Sequence, residues 1–107
     1  MNLLFICSRN QWRSKTAETI FKNRTGFEVK SAGTSKTARI RISRKLIEWA
    51  ELIFVMENKH KKRLSELFPD LINSEEVIVL DIPDEFKYMD EEIVKNLEDS
   101  VSFHVNN

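Results

Sequence analysis

Apolar residues open the chain in one short run, Asn2 to Cys7 (NLLFIC), the pattern of a parallel strand buried on both faces. The period then changes. From Thr16 to Asn23, Ala17, Ile20 and Phe21 share one helical face, and Ser14 stands where an N-cap oxygen is needed. Gly26 marks a turn, Phe27 to Lys30 (FEVK) reads as a second strand, and Ser31 to Ser35 (SAGTS) as the loop at its far end. Leu46, Ile47 and Ala50 define a short helix over Arg44 to Ala50. Glu51 to Glu57 (ELIFVME) forms a third strand around a β-branched and aromatic centre. Asn58 is placed to cap the next helix, whose inward stripe is Leu64, Leu67 and Phe68 and which stops at Pro69. Val77 to Leu80 (VIVL) is a fourth strand ending at Asp81. Met89 to Phe103 closes the chain as an amphipathic helix, with Ile93, Val94, Leu97 and Val101 on one side.

Strands alternating with helices predict an α/β fold of three layers, a parallel sheet covered by helices on both faces and joined by right-handed crossovers. Ligands of such sheets bind beyond the carboxyl ends of the strands. The segments after strands 1, 3 and 4 are therefore expected to converge, and they hold Cys7 to Ser14, Glu57 to His60, and Asp81 to Asp84.

Composition narrows the chemistry. A chain of 107 residues, 41% hydrophobic, suits one domain with one core, taken as residues 1–107. Seventeen basic and seventeen acidic residues cancel, so no whole-chain field favours nucleic acid or a membrane surface. The longest apolar runs, Leu3 to Cys7 and Leu52 to Met56, are strand-sized, and no signal-peptide pattern opens the chain; the expected location is cytoplasmic. A single cysteine excludes an internal disulfide framework and a cysteine-rich metal site. With His60 and His104 as the two histidines, no metal cluster and no cofactor are expected.

A lone cysteine at a strand end is more often core than catalyst. The residues after Cys7 reverse that balance. Cys7, Ser8, Arg9, Asn10, Gln11, Trp12, Arg13 and Ser14 make a Cys-x5-Arg-Ser loop between a buried strand and a helix start. Such a loop can turn successive backbone N–H groups inward as an anion nest, strengthened by the positive end of the helix. Arg13 offers a planar fork for two phosphoryl oxygens. The nest, the helix and the Ser14 hydroxyl together favour the thiolate of Cys7, so the site that binds phosphate also activates the nucleophile. A leaving oxygen needs a proton. Asp81, at the end of strand 4, is the favoured donor, with Asp84 as the alternative beyond Pro83; each reads equally well as part of a solvated turn. His60 reads as a helix-surface or cap residue, the run Lys59, Lys61, Lys62, Arg63 as a solvated helix face, and Phe86 and Tyr88 as packing residues, with a rim for an aromatic substrate as their alternative role.

The loop, Thr16-Ala17-Glu18, Ser31-Ala32-Gly33-Thr34 and the stretch Trp49 to Leu64 (WAELIFVMENKHKKRL) together resemble the low-molecular-weight protein tyrosine phosphatase family. That resemblance implies a four-stranded parallel sheet of order 2-1-3-4. It also implies Cys7 as nucleophile, Arg13 as the phosphate-gripping arginine, Asn10 as a loop stabiliser, Ser14 as support for the thiolate and Asp81 as the nearest general acid. Arg9 stands where the family usually has glycine, which predicts a strained or enlarged loop or, alternatively, added charge at the site. Trp12 replaces a second cysteine, Lys15 a proline, and Ile82 separates Asp81 from Pro83. Little chain remains between Thr34 and Leu46 to wall the site, predicting an open cleft.

The leading expectation is a metal-independent phosphomonoesterase acting through a cysteinyl-phosphate on a phosphotyrosine protein or a small aryl phosphate. A catalytically weak phosphate- or phosphoprotein-binding module is the competing class. Related arsenate reductases need further cysteines, which this chain lacks.

Overall fold

β1 (Asn2–Cys7) is the strand on which the rest is built, because it pairs in parallel with β2 (Glu28–Gly33) on one side and β3 (Leu52–Val55) on the other. β4 (Val77–Val79) adds to β3, giving a four-stranded parallel sheet in the predicted order β2-β1-β3-β4. The computed structural model describes residues 1–72 and 77–105.

Alternation along β1 divides the core between the two faces. Leu3, Phe5 and Cys7 join Ala17 and Phe21 of α1 (Arg13–Phe21) and Ile93, Leu97 and Val101 of α4 (Glu91–Val105). Leu4 and Ile6 join Ile47 of α2 (Arg44–Trp49) and Leu64 of α3 (Asn58–Leu67). Leu3, Leu4, Phe5 and Ile6 are fully buried, which explains why this strand is an unbroken apolar run. Phe5 stacks between Phe21 and Phe54 at centroid separations of 5.6 and 5.1 Å. Each such ring contributes roughly 1.5–3 kcal/mol by burial.

Several boundaries differ from those predicted, and three of the differences bear on the site. β2 runs on through Ser31, Ala32 and Gly33, which the pattern assigned to a loop; pairing of Phe5, Ile6 and Cys7 with these residues overrides their weak strand preference. Gly33 is needed there, since a Cβ would lie 2.4 Å from the Ser8 carbonyl oxygen and 2.6 Å from Ala38 Cβ. Ser14 is inside α1 rather than capping it, with Trp12 at the N-cap position. Asn58 is the first residue of α3 and Glu57 its N-cap.

Among the described residues no helix is long and apolar enough to cross a membrane.

Candidate active site

β1 delivers Cys7, 4% exposed, to the carboxyl edge of the sheet, and the chain turns through five residues into α1 at Arg13. No side chain caps α1, so its leading N–H groups lack the acceptor that a capping residue supplies. The one loop residue in the left-handed region is Asn10, at φ 57°. Asparagine tolerates that conformation. Arg9 adopts an ordinary backbone conformation, so the strain expected of a non-glycine residue there does not arise.

A buried hydrogen-bond chain fixes the sulfur from below. Glu18 accepts from the Ser31 hydroxyl, and Ser31 Oγ accepts from Asn10 Nδ2 at 2.9 Å. Asn10 Nδ2 also donates to Ser14 Oγ at 2.7 Å, so the Ser14 proton is shared between the Ala32 carbonyl at 3.5 Å and, when Cys7 is a thiolate, Sγ at 3.0 Å. The carboxylate fixes the Ser31 bond because it can only accept, and the Asn10 amide nitrogen fixes its two bonds because it can only donate. Asn10 N–H donates to the same sulfur at 3.2 Å. Asn10 and Ser14 therefore lie beneath the site, both fully buried, rather than on its surface.

Arg13 joins the three edge segments in one side chain. It is 3% exposed, and its Nη1 donates to Glu57 Oε2 at 2.5 Å and to the Ile82 carbonyl at 2.8 Å. Its Nε is 3.8 Å from Asp84 Oδ1. With Nη1 engaged, the guanidinium keeps N–H groups on Nε and Nη2 for a ligand. Burial by itself would raise the Glu57 carboxyl, but the hydrogen bond and charge of Arg13 outweigh it and hold the group below its ordinary range. Glu57 sits in a segment expected at this edge, yet nothing in the sequence pattern marks it as the partner of Arg13.

His60 is a buried cap residue, 1% exposed, rather than a surface one. Its Nδ1 accepts from the Glu57 N–H at 3.1 Å, so Nε2 carries the proton and donates to Ser8 Oγ at 2.9 Å. Burial, reinforced by the charge of Arg13, lowers this imidazole to about 4. The folded protein then binds a proton less readily than the unfolded chain, whose histidine titrates near 6.5. The contribution is fully present above pH 6.5 and is lost as pH falls towards 4. We expect stability to drop by of order 2 kcal/mol over that window, after allowance for partial solvent screening. Urea unfolding of wild type and His60→Gln between pH 4 and 7 measures it, since the variant should lose this part of the slope.

The cavity above the sulfur encloses about 110 Å³ and is lined by Cys7, Ser8, Arg9, Gln11, Trp12, Arg13 and Asp84. Asp84 borders it, and Asp81 does not. Beyond β4, Leu80 N–H bonds to the Val55 carbonyl and Ile82 N–H to that of Met56. Leu80 and Ile82 are buried, while Asp81 between them turns out at φ 56°. It borders a separate open groove with Glu57, Asn58, Lys59 and Pro83. Of the two aspartates weighed from the sequence, Asp84 is therefore the one beside Cys7 and Arg13 at the cavity. Phe86 packs against the core, and Tyr88 hydrogen-bonds Thr19 at 2.8 Å, so neither rims the cavity. Trp12, 43% exposed, is the aromatic residue that does. No group of three or more potential metal-binding side chains occurs among the described residues.

The sequence model for low molecular weight phosphotyrosine protein phosphatases matches residues 2–51, a stretch holding the whole loop. The chain resembles that family and has its fold. The tyrosine phosphatase Wzb from Escherichia coli K30, solved with phosphate, superposes with a TM-score of 0.77 over 98% of this chain and 96% of its own at 19% identity. SP-PTP, a low molecular weight protein tyrosine phosphatase from Streptococcus pyogenes, gives 0.76 over 95% and 91% at 18% identity. The YwlE arginine phosphatase from Geobacillus stearothermophilus gives 0.71 over 98% and 88% at 22% identity. No curated protein matches the sequence. Relative to the low-molecular-weight phosphatase pattern, the unusual Arg9 and Trp12 both face the cavity, whereas Asn10, Arg13 and Ser14 make the contacts that hold it in shape.

Proposed function

We propose that the protein is a metal-independent phosphomonoester hydrolase of phosphotyrosine or other aryl phosphates, working through a cysteinyl-phosphate. The observation that carries this reading is a sulfur receiving two hydrogen bonds at the foot of a small cavity walled by a fixed arginine. Loop N–H groups and the Nε and Nη2 edge of Arg13 hold the equatorial phosphoryl oxygens and meet the charge that spreads over them in the transition state. Cys7 Sγ attacks phosphorus as the ester P–O bond breaks, and Asp84 gives its proton to the leaving oxygen. The Asp84 carboxylate then takes a proton from the water that attacks phosphorus. The S–P bond breaks, phosphate leaves, and the thiolate returns with Ser14 and Asn10 donating to it.

Asp84 is assigned this role because it borders the cavity and lies near Arg13. Trp12 and Gln11 offer a half-apolar rim for an aryl group. The reading treats residues 1–107 as one phosphatase domain acting in the cytoplasm, needing no cofactor.

Steady-state hydrolysis of p-nitrophenyl phosphate in the presence of a chelator tests the activity. The proton donor is tested with a phosphotyrosine peptide, whose leaving group depends more on protonation. Asp84→Asn should lower kcat by about 10²-fold and Asp81→Asn by less than about twofold. The opposite ranking would assign the proton to Asp81. Retained phosphate binding without turnover would identify a binding module.

A further inference from the structure

Ser8 lines two depressions, the cavity over Cys7 and a second, open groove of about 320 Å³ formed with Thr34, Ser35, Lys36, Lys59 and Arg63. The groove holds three basic side chains and no acidic one, whereas Asp84 borders the cavity. Lys36 has no ion-pair partner among the described residues. Lys59 and Arg63 have only loose ones, to Glu57 at 3.7 Å and Glu66 at 3.9 Å, and both are exposed. At the rim of the cavity stands Asp84, which is exposed. The overall neutrality of the chain conceals this division: fifteen of its seventeen basic residues precede Leu64, and twelve of its seventeen acidic residues follow Arg63. The β2–α2 connection and the start of α3 follow strands on either side of β1, and residues of both line this groove.

Resting on the phosphatase reading, we propose that this groove binds a second anionic group of the substrate, an acidic side chain or a second phosphate next to the residue being dephosphorylated. The site would then select phosphorylated segments with acidic flanks. Two features make the groove more than a solvated helix face. It adjoins the cavity across Ser8, whose hydroxyl is held by His60 Nε2, and it adds the hydroxyl-bearing Thr34 and Ser35 to the cations as hydrogen-bond donors. A small substrate such as p-nitrophenyl phosphate has nothing to place there.

The test compares three phosphotyrosine peptides, with neutral flanks, acidic flanks and a second phosphotyrosine, each normalised to p-nitrophenyl phosphate turnover. Peptide binding to Cys7→Ser protein is measured in parallel by fluorescence anisotropy. We expect about a tenfold preference in kcat/KM for the anionic peptides at low salt, shrinking to about twofold in 0.5 M salt as exposed charges are screened. The double variant Lys36→Glu, Arg63→Glu should abolish or invert the preference. A stronger effect of the second phosphate than of acidic side chains identifies phosphate as the ligand, and equal effects identify charge alone. Equal values for all three peptides, or a preference that survives charge reversal, would overturn the proposal while leaving the phosphatase reading intact. If no substrate is turned over, the phosphatase reading fails, and the anisotropy measurements alone uphold or reject the groove. Tighter binding of a single-stranded RNA than of any peptide would also reject it.

Discussion

Serine at position 7 should abolish turnover of p-nitrophenyl phosphate, with kcat falling by roughly four orders of magnitude or more, while inorganic phosphate still binds within about threefold of the wild-type affinity. The asymmetry follows from the separate duties of loop and sulfur. In the proposed mechanism phosphate is held by backbone N–H groups and Arg13, none of which changes. Attack on phosphorus needs a polarisable anion, and the hydrogen bonds that Ser14 and Asn10 direct at Sγ stabilise a thiolate far more easily than they create an alkoxide. Steady-state kinetics and isothermal titration with phosphate read the two effects independently. A variant retaining a tenth of wild-type activity would mean that another group attacks phosphorus.

Arg13→Lys should lower kcat/KM about 10³-fold, near 4 kcal/mol of transition-state stabilisation, although the charge is kept. An ammonium cannot hold the Glu57 carboxylate and the Ile82 carbonyl through one nitrogen and still offer two coplanar donors to the phosphoryl group. The same change should destabilise the fold by about 1 kcal/mol, a fall in Tm of about 4–8 °C for a chain of this size, because Arg13 links the segments after β1, β3 and β4. Kinetics and thermal unfolding of one preparation check both. A variant as active as wild type would show that point charge, not fork geometry, is what the site requires.

Much of this architecture was legible because β1 and β3 are buried on both faces and must therefore be written in apolar residues, and because alternating strands and helices allow few connections. The loop was legible for a different reason: its chemistry restricts a cysteine, an arginine and a serine to fixed spacing. What escaped lies where backbone geometry or a distant partner decides. Ser31, Ala32 and Gly33 do not look like a strand, and become one only because β1 offers an open edge. Ser14 has the identity of a cap, but Cys7 and Asn10 claim its hydroxyl. Asp81 has the better position in sequence, yet Leu80 and Ile82 take both inward places and leave it facing out. Glu57 and His60, which set Arg13 and Ser8, are separated from them by 44 and 52 positions, and no local pattern encodes such pairs.

The stretch after Gly33 is tied down at a few backbone points. Gly33 bonds to Ile40 and Ile42, Ser35 N–H to the Ser8 carbonyl, and Arg39 to the carbonyls of Arg9 and Asn10. These ties hold both ends of the stretch and brace the back of the phosphate loop, while Lys36 and Thr37 between them contribute nothing to the core. Residues inserted there would add only a slowly growing closure entropy, about 0.6 kcal/mol for each doubling of length. The phosphate grip and the outer wall can therefore diversify separately: an insertion between Ser35 and Ala38 gives a lineage, or an engineer, a way to recast what the mouth accepts without disturbing Cys7.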